Sequence, residues 1–157
     1  MVDEILHKYG ERIVKQLSED IKNKPLTRRG GKSFVANASG NLAESLRYEV
    51  SNGTLKVYAN HYIYQLVFGR KPGKRPPREV IVQWIKDKGI QSDIPIQSLA
   101  YLIQRSIGEN GTTLYPSGST LLSDIINESL VNDLKSDLFK EILDASVSSF
   151  KQLKQAA

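Results

Sequence analysis

The densest charged cluster in the chain is Arg70, Lys71, Lys74, Arg75 and Arg78, five bases within nine residues, interrupted by Pro72, Pro76 and Pro77. Cations spaced this closely attract phosphates or an acidic protein surface. The prolines restrict the backbone, so the charges are presented with little further ordering on binding. The plainer alternative is a solvated loop. No segment is dense in the Arg, Asn and Gln of a base-reading helix, so contact with nucleic acid would be to phosphates and would weaken steeply with salt. A second basic stretch, Arg28, Arg29 and Lys32, lies further upstream. Its Gly30-Gly31-Lys32-Ser33 ends like a phosphate-binding P-loop, but Leu26 stands where the first glycine belongs, and the preceding element reads as a helix rather than the required strand. Asp133, Asp137 and Glu141 form the opposite feature, three acids at steps of four on one helix face. Like charges at that spacing repel by about 0.2–0.5 kcal/mol per pair, so the row calls for cations or stays solvated. The cations expected are those of the basic loop on an adjacent subunit, which would make the three acids subunit-interface residues.

Covalent and metal chemistry find less support. His7 and His61 are the only imidazoles, and neither has a second histidine three or four residues away. Ser117, between Pro116 and Gly118, sits in turn chemistry rather than in a G-x-S-x-G nucleophile elbow. The chain has no cysteine, which removes disulfides, thiol catalysis and thiolate metal sites and fits a reducing compartment. The expectation is a non-enzymatic protein without metal or cofactor.

Several elements must position these groups. Ile5, Tyr9, Ile13, Leu17 and Ile21 fall at steps of four with Leu6 and Val14 beside them, predicting an amphipathic helix over about 2–23. Pro25 ends it, and 24–37 has no periodicity, two adjacent glycines and four bases, so it reads as a mobile basic arm. Ser39 is placed to cap a short helix through Leu42, Ala43 and Leu46. From Arg47 the period changes to two on both sides of Asn52-Gly53. A type I′ turn needs positive φ at both central residues, so 47–59 reads as a β-hairpin. Two strands alone are marginal in water and must pack on helices or pair with neighbouring chains. Gly69 closes a short helical segment ahead of the basic loop. Helical spacing resumes over 78–89 and 98–108, and Gly108 to Gly118 reads as a loop. Leu121–Leu130 and Leu134–Leu153 read as two helices, with Leu122, Ile125, Ile126, Leu130, Leu134, Leu138, Ile142 and Phe150 on an inward stripe. The fold class is α+β in one domain, with a helical insertion at about 77–110.

The net charge is +5, but residues 22–78 hold twelve bases against Glu44 and Glu49, a balance of +10, while both flanks are slightly acidic. At 157 residues and 39% hydrophobic content the chain can build a single core. No apolar run approaches the roughly 18 residues of a membrane span, and no block resembles a signal peptide, so a soluble protein made in the cytoplasm is expected.

The stretch ASGNLAESLRYEV, then NG, then TLKVYANHYIYQLVFGRKPG resembles the tail-completion, or minor tail component, family of tailed phages. Members have a long first helix, a short "SG-x-L-x-x-S" helix, a β-hairpin and a segment with Tyr-Ala, a further Tyr and a closing Gly that leads into a loop. In this chain the matching residues are Ser39, Gly40, Leu42 and Ser45, then Tyr58, Ala59, Tyr62 and Gly69. Where the family usually carries a glutamate before that glycine, Gln65, Leu66 and Val67 stand here. PPREVIVQWIKDKGI and SLAYLIQRSIGENGT resemble a helical insertion of some members, and GTTLYPSGSTLLSDIINESL resembles the closing proline-plus-helix segment, so the likeness covers about residues 1–150. The resemblance implies a virion protein in the neck or tail, a ring of six or twelve copies between portal and tail tube, meeting portal, adaptor or tail-tube proteins and making at most non-specific contact with passing DNA. The competing expectation, resting on the charge of the middle third, is a small basic nucleic-acid-binding module acting as monomer or dimer.

Overall fold

The computed structural model describes residues 2–28 and 31–156 and has an α+β fold. Helix α1 (Val2–Asn23) is amphipathic as its spacing predicts: Leu6, Tyr9, Gly10, Ile13, Leu17 and Ile21 are buried and the opposite face is charged. Around it are two two-stranded antiparallel sheets, β1 (Pro25–Thr27) with β2 (Ser33–Val35) and β3 (Arg47–Ser51) with β4 (Thr54–Tyr58). The short helix α2 (Asn41–Glu44) links the sheets, and α3 (Ile63–Phe68) follows the second. Helices α4 (Arg78–Asp87) and α5 (Ile96–Asn110) pack on each other, and a long helix α6 (Glu128–Ala156) closes the chain.

The 47–59 hairpin forms in the register that Asn52-Gly53 demands, pairing Ser51 with Thr54 and Arg47 with Tyr58. Asn52 and Gly53 have φ of 51° and 69°, the two positive values that a type I′ turn requires. The sheet lies on α1 at Gly10, where an added Cβ would come within 2.4 Å of the Tyr48 ring and 2.8 Å of Leu55. Glycine in mid-helix costs about 1 kcal/mol relative to alanine; here it lets a strand approach the helix backbone.

Three expectations are corrected. Residues 24–37 are not an aperiodic arm, because β1 and β2 pair Pro25 with Val35, Leu26 with Phe34 and Thr27 with Ser33. Leu26, 3% exposed, and Phe34 join the main core, and that burial anchors strands too short to show an alternation. Arg28 lies at the end of this hairpin, its N–H donating to the Lys32 carbonyl at 3.0 Å; Arg29 lies outside the described residues. Second, Ser39 does not cap α2. Gly40 does, in the left-handed conformation at φ 86°, with no side-chain hydrogen bond. Third, residues 121–127 form turns rather than a helix, and α6 begins at Glu128 and runs unbroken through the second predicted helix. Asn127 prepares that start: its Oδ1 accepts from the Leu130 N–H at 3.0 Å, an N-cap bond.

The core has two parts. The larger joins α1, both sheets, α2, α3, the 111–127 segment and the start of α6 around Leu17, Ile21 and Leu121, each at most 2% exposed. The smaller holds α4 against α5 through Ile81, Ile85 and Ala100. Residues 111–119 are strapped across the end of α3. Ser119 donates its N–H to the Val67 carbonyl at 2.8 Å and its hydroxyl to that of Leu66 at 2.7 Å. Arg70 and Thr112 exchange two further bonds, so the basic loop starts from a fixed base.

Candidate functional site

The basic loop runs from the end of α3 to the first turn of α4. Its middle is held by two bonds: the Arg70 guanidinium donates to the Lys74 carbonyl at 2.7 Å, and the Gly73 N–H donates to the Gly108 carbonyl at 2.8 Å. Pro76 is buried, and its carbonyl accepts from Gln104 at 2.7 Å. These contacts tie the loop to α5 and hold its charges outward. Arg78 turns back, its guanidinium 5.3 Å from the Tyr101 ring centre, a cation–π arrangement. Lys71, Lys74 and Arg75 are exposed and make no ion pair among the described residues. The five predicted bases thus divide in role: Arg70 and Arg78 shape the loop, and the other three present charge.

On the other basic segment, Arg28 stacks over Phe34 with 5.8 Å to the ring centre, and Lys32 is exposed. No hydrogen bond or ion pair joins this hairpin to the 70–78 loop among the described residues. The hairpin is tied instead to α4, where the Lys88 ammonium donates to the carbonyls of Val35, at 2.6 Å, and Asn37. Burial lowers the Lys88 pKa from its ordinary value. Between these elements is a groove of about 350 Å³ lined by Ala36 to Leu42, Tyr62, Val80, Trp84 and Asp87. Asp87 is its one charged lining residue.

The acidic row on α6 finds its cations inside the same chain. Lys8 donates to Asp137 at 2.8 Å, the Tyr9 hydroxyl donates to the same carboxylate at 3.0 Å, and Arg12 reaches Asp133 at 3.4 Å. Within the chain, Asp133 and Asp137 thus dock α6 on α1. Lys8, and after it Tyr9, hold Asp137 below the ordinary carboxylate range, and Asp137 in turn raises Lys8. Burial first, then the bond to Asp137, raises Tyr9. Glu141, the third acid, has no ion-pair partner among the described residues.

Sequence reasoning missed the other face of α6. Phe139, Ile142, Leu143, Val147 and Phe150 are 67%, 57%, 46%, 45% and 72% exposed. Ile142 and Phe150, expected on the inward stripe, thus point outward, as does Ile126, 51% exposed, while Ile125, Leu130 and Leu134 do pack on the core. The available signal was a second apolar row, Phe139, Leu143 and Val147 at steps of four, beside Leu130, Leu134 and Leu138. A further exposed apolar pair sits on α3, where Tyr64 and Phe68 stack at 6.4 Å with 21° between their rings.

Among the described residues no three His, Asp or Glu side chains gather to hold a metal, and no helix is long and apolar enough to cross a membrane. Neither protein-family models, nor curated proteins, nor solved structures give a match to this chain.

Proposed function

We propose that this chain is a structural subunit of a tailed-phage virion that assembles with copies of itself into a ring, six- or twelve-fold, at the joint between head and tail. The observation that carries the reading is the uncovered apolar row on α6, five large side chains each at least 45% exposed on a helix whose other face is already packed. Apolar patches of this kind on a soluble surface mark sites that another protein covers. Two further features support it. Both sheets have only two strands and so keep open edges, and the rigid loop offers three unpaired cations to an acidic neighbour. The resemblance of the 38–73 segment to tail-completion proteins supplies the virion setting; portal, adaptor and tail-tube proteins are the partners it implies.

Electron microscopy of the purified chain tests the proposal. Closed rings are expected, and a chain that stays single at every concentration overturns it. The unpaired Lys71, Lys74 and Arg75 favour a second reading, a phosphate-contacting nucleic-acid module. Tight, salt-dependent DNA binding by a monomer or dimer would select that reading over the ring.

A further inference from the structure

We infer that α4 and α5 form an arm that is hinged to the body at one end and latched to it at the other by a single ammonium, that of Lys88. The inference goes beyond the assembly reading and does not depend on it.

The arm has a core of its own. Ile81, Ile85 and Ala100 are buried against Trp84, Leu99 and Ile103, and none of these side chains belongs to the larger core around α1. The face that α4 turns toward the body looks into the groove of about 350 Å³ rather than onto packed side chains. Val80 on that face is 58% exposed, and Tyr62 on the body side is 43% exposed. Units joined through a small, poorly packed boundary move relative to each other unless something else holds them.

Hydrogen bonds divide this boundary into a hinge and a latch. Arg70 and Thr112 are bonded to each other on the body side, beside the strap that Ser119 fastens to α3. Three residues on, Gly73 donates to the Gly108 carbonyl and Gln104 to that of Pro76, so the chain from Gly73 onward is already fastened to α5. Between the two sets lie only Lys71 and Pro72 on the way in and residues 109–111 on the way out, with the Arg70 guanidinium reaching across to the Lys74 carbonyl. Gly111, at φ 73°, is fitted to this place, because an added Cβ would collide with the Arg70 carbonyl.

Beyond the hinge, Lys88 alone joins α4, α5 or their connector to the body by hydrogen bonds among the described residues. Its ammonium donates to the carbonyl of Val35, at 2.6 Å, and to that of Asn37. The length of α4, ten residues or about 15 Å, separates this contact from the hinge. A bond that far from the pivot restrains rotation with long leverage, and its loss leaves the arm free to swing. Lys74, Arg75 and Arg78 travel with the arm, since the Arg75 stem lies over Gly108 and Arg78 stacks on Tyr101. The latch therefore also sets the aim of the basic loop.

Spin labels on paired cysteines in the full chain test this, and the native sequence has no cysteine to interfere. One pair, Glu19→Cys with Gln91→Cys, spans the body and the tip of the arm. A second, Glu19→Cys with Lys56→Cys, lies within the body, and all three sites are exposed. Labelled chain is diluted into unlabelled chain so that only distances within one molecule are read. With Lys88 in place both pairs should give one narrow distance. Lys88→Met, which keeps most of the side chain's length and removes the ammonium, should broaden the first distribution severalfold and leave the second unchanged. A first pair that stays narrow in Lys88→Met overturns the latch, and one that is broad before the substitution overturns it as well. Broadening of both pairs would show that Lys88 supports the whole fold rather than the arm, which also overturns the inference.

Discussion

Asp137 shows how a demand posed by periodicity is answered within the chain by geometry. Its place in a row of acids asks for cations, and the expectation looked for them on another subunit; the nearest are Lys8 and the Tyr9 hydroxyl, 128 or 129 positions back in the same chain. Because its folded pKa lies below the ordinary 3.8, the stability it contributes is present above that value and lost as pH falls through the lower one. Asp137→Asn should therefore flatten the acid limb of the stability profile, measured as the urea midpoint against pH. Identical profiles for the variant and the native chain would exclude the contribution. Gly10 makes a steric claim at the same scale. Gly10→Ala drives a methyl into the Tyr48 ring, so despite alanine's better helix propensity it should cost about 1–3 kcal/mol, read from the urea midpoint. An unchanged or raised midpoint would mean that the hairpin does not sit on α1 at this residue.

Among the elements, legibility followed how local the determining physics is. The 47–59 hairpin was readable because Asn52-Gly53 alone dictates the turn and alternation fixes the register. Helix α1 was readable because one buried stripe repeats through five turns. The β1–β2 hairpin was not, since three-residue strands held by Leu26 and Phe34 depend on a core assembled from distant segments. In α6, two apolar rows share one helix, and only the position of α1 decides which is inside; Ile142 and Phe150 were placed inward for that reason. The basic loop was legible as a charged cluster, but its internal division was not, because the bonds of Arg70 and the stacking of Arg78 on Tyr101 arise from the fold. Replacing Lys71, Lys74 and Arg75 with alanine should thus leave the urea midpoint unchanged, since none is paired. Any DNA binding by the chain should lose up to about three units of its log–log salt slope in that variant. A lowered midpoint would show that the three side chains support the fold, and an unchanged slope would place DNA contact elsewhere.

For the whole molecule, a well-packed core around α1 coexists with surfaces that a solitary chain has no use for: the outward row of α6, the Tyr64–Phe68 pair on α3 and the open edges of both small sheets. The proposed self-assembly would account for them together, and the rigid basic loop would give such an assembly a place to meet an acidic neighbour. The fold class was legible from the sequence, while the surface on which the functional proposal rests emerged only once α6 was placed against α1. The most direct test is the size and shape of the purified chain by electron microscopy, with the solution mass measured across a concentration series. The account predicts closed rings whose mass is a multiple of the 17.6 kDa chain, six- or twelve-fold. A species of one chain mass throughout the series, with the α6 row still open to solvent, would contradict it.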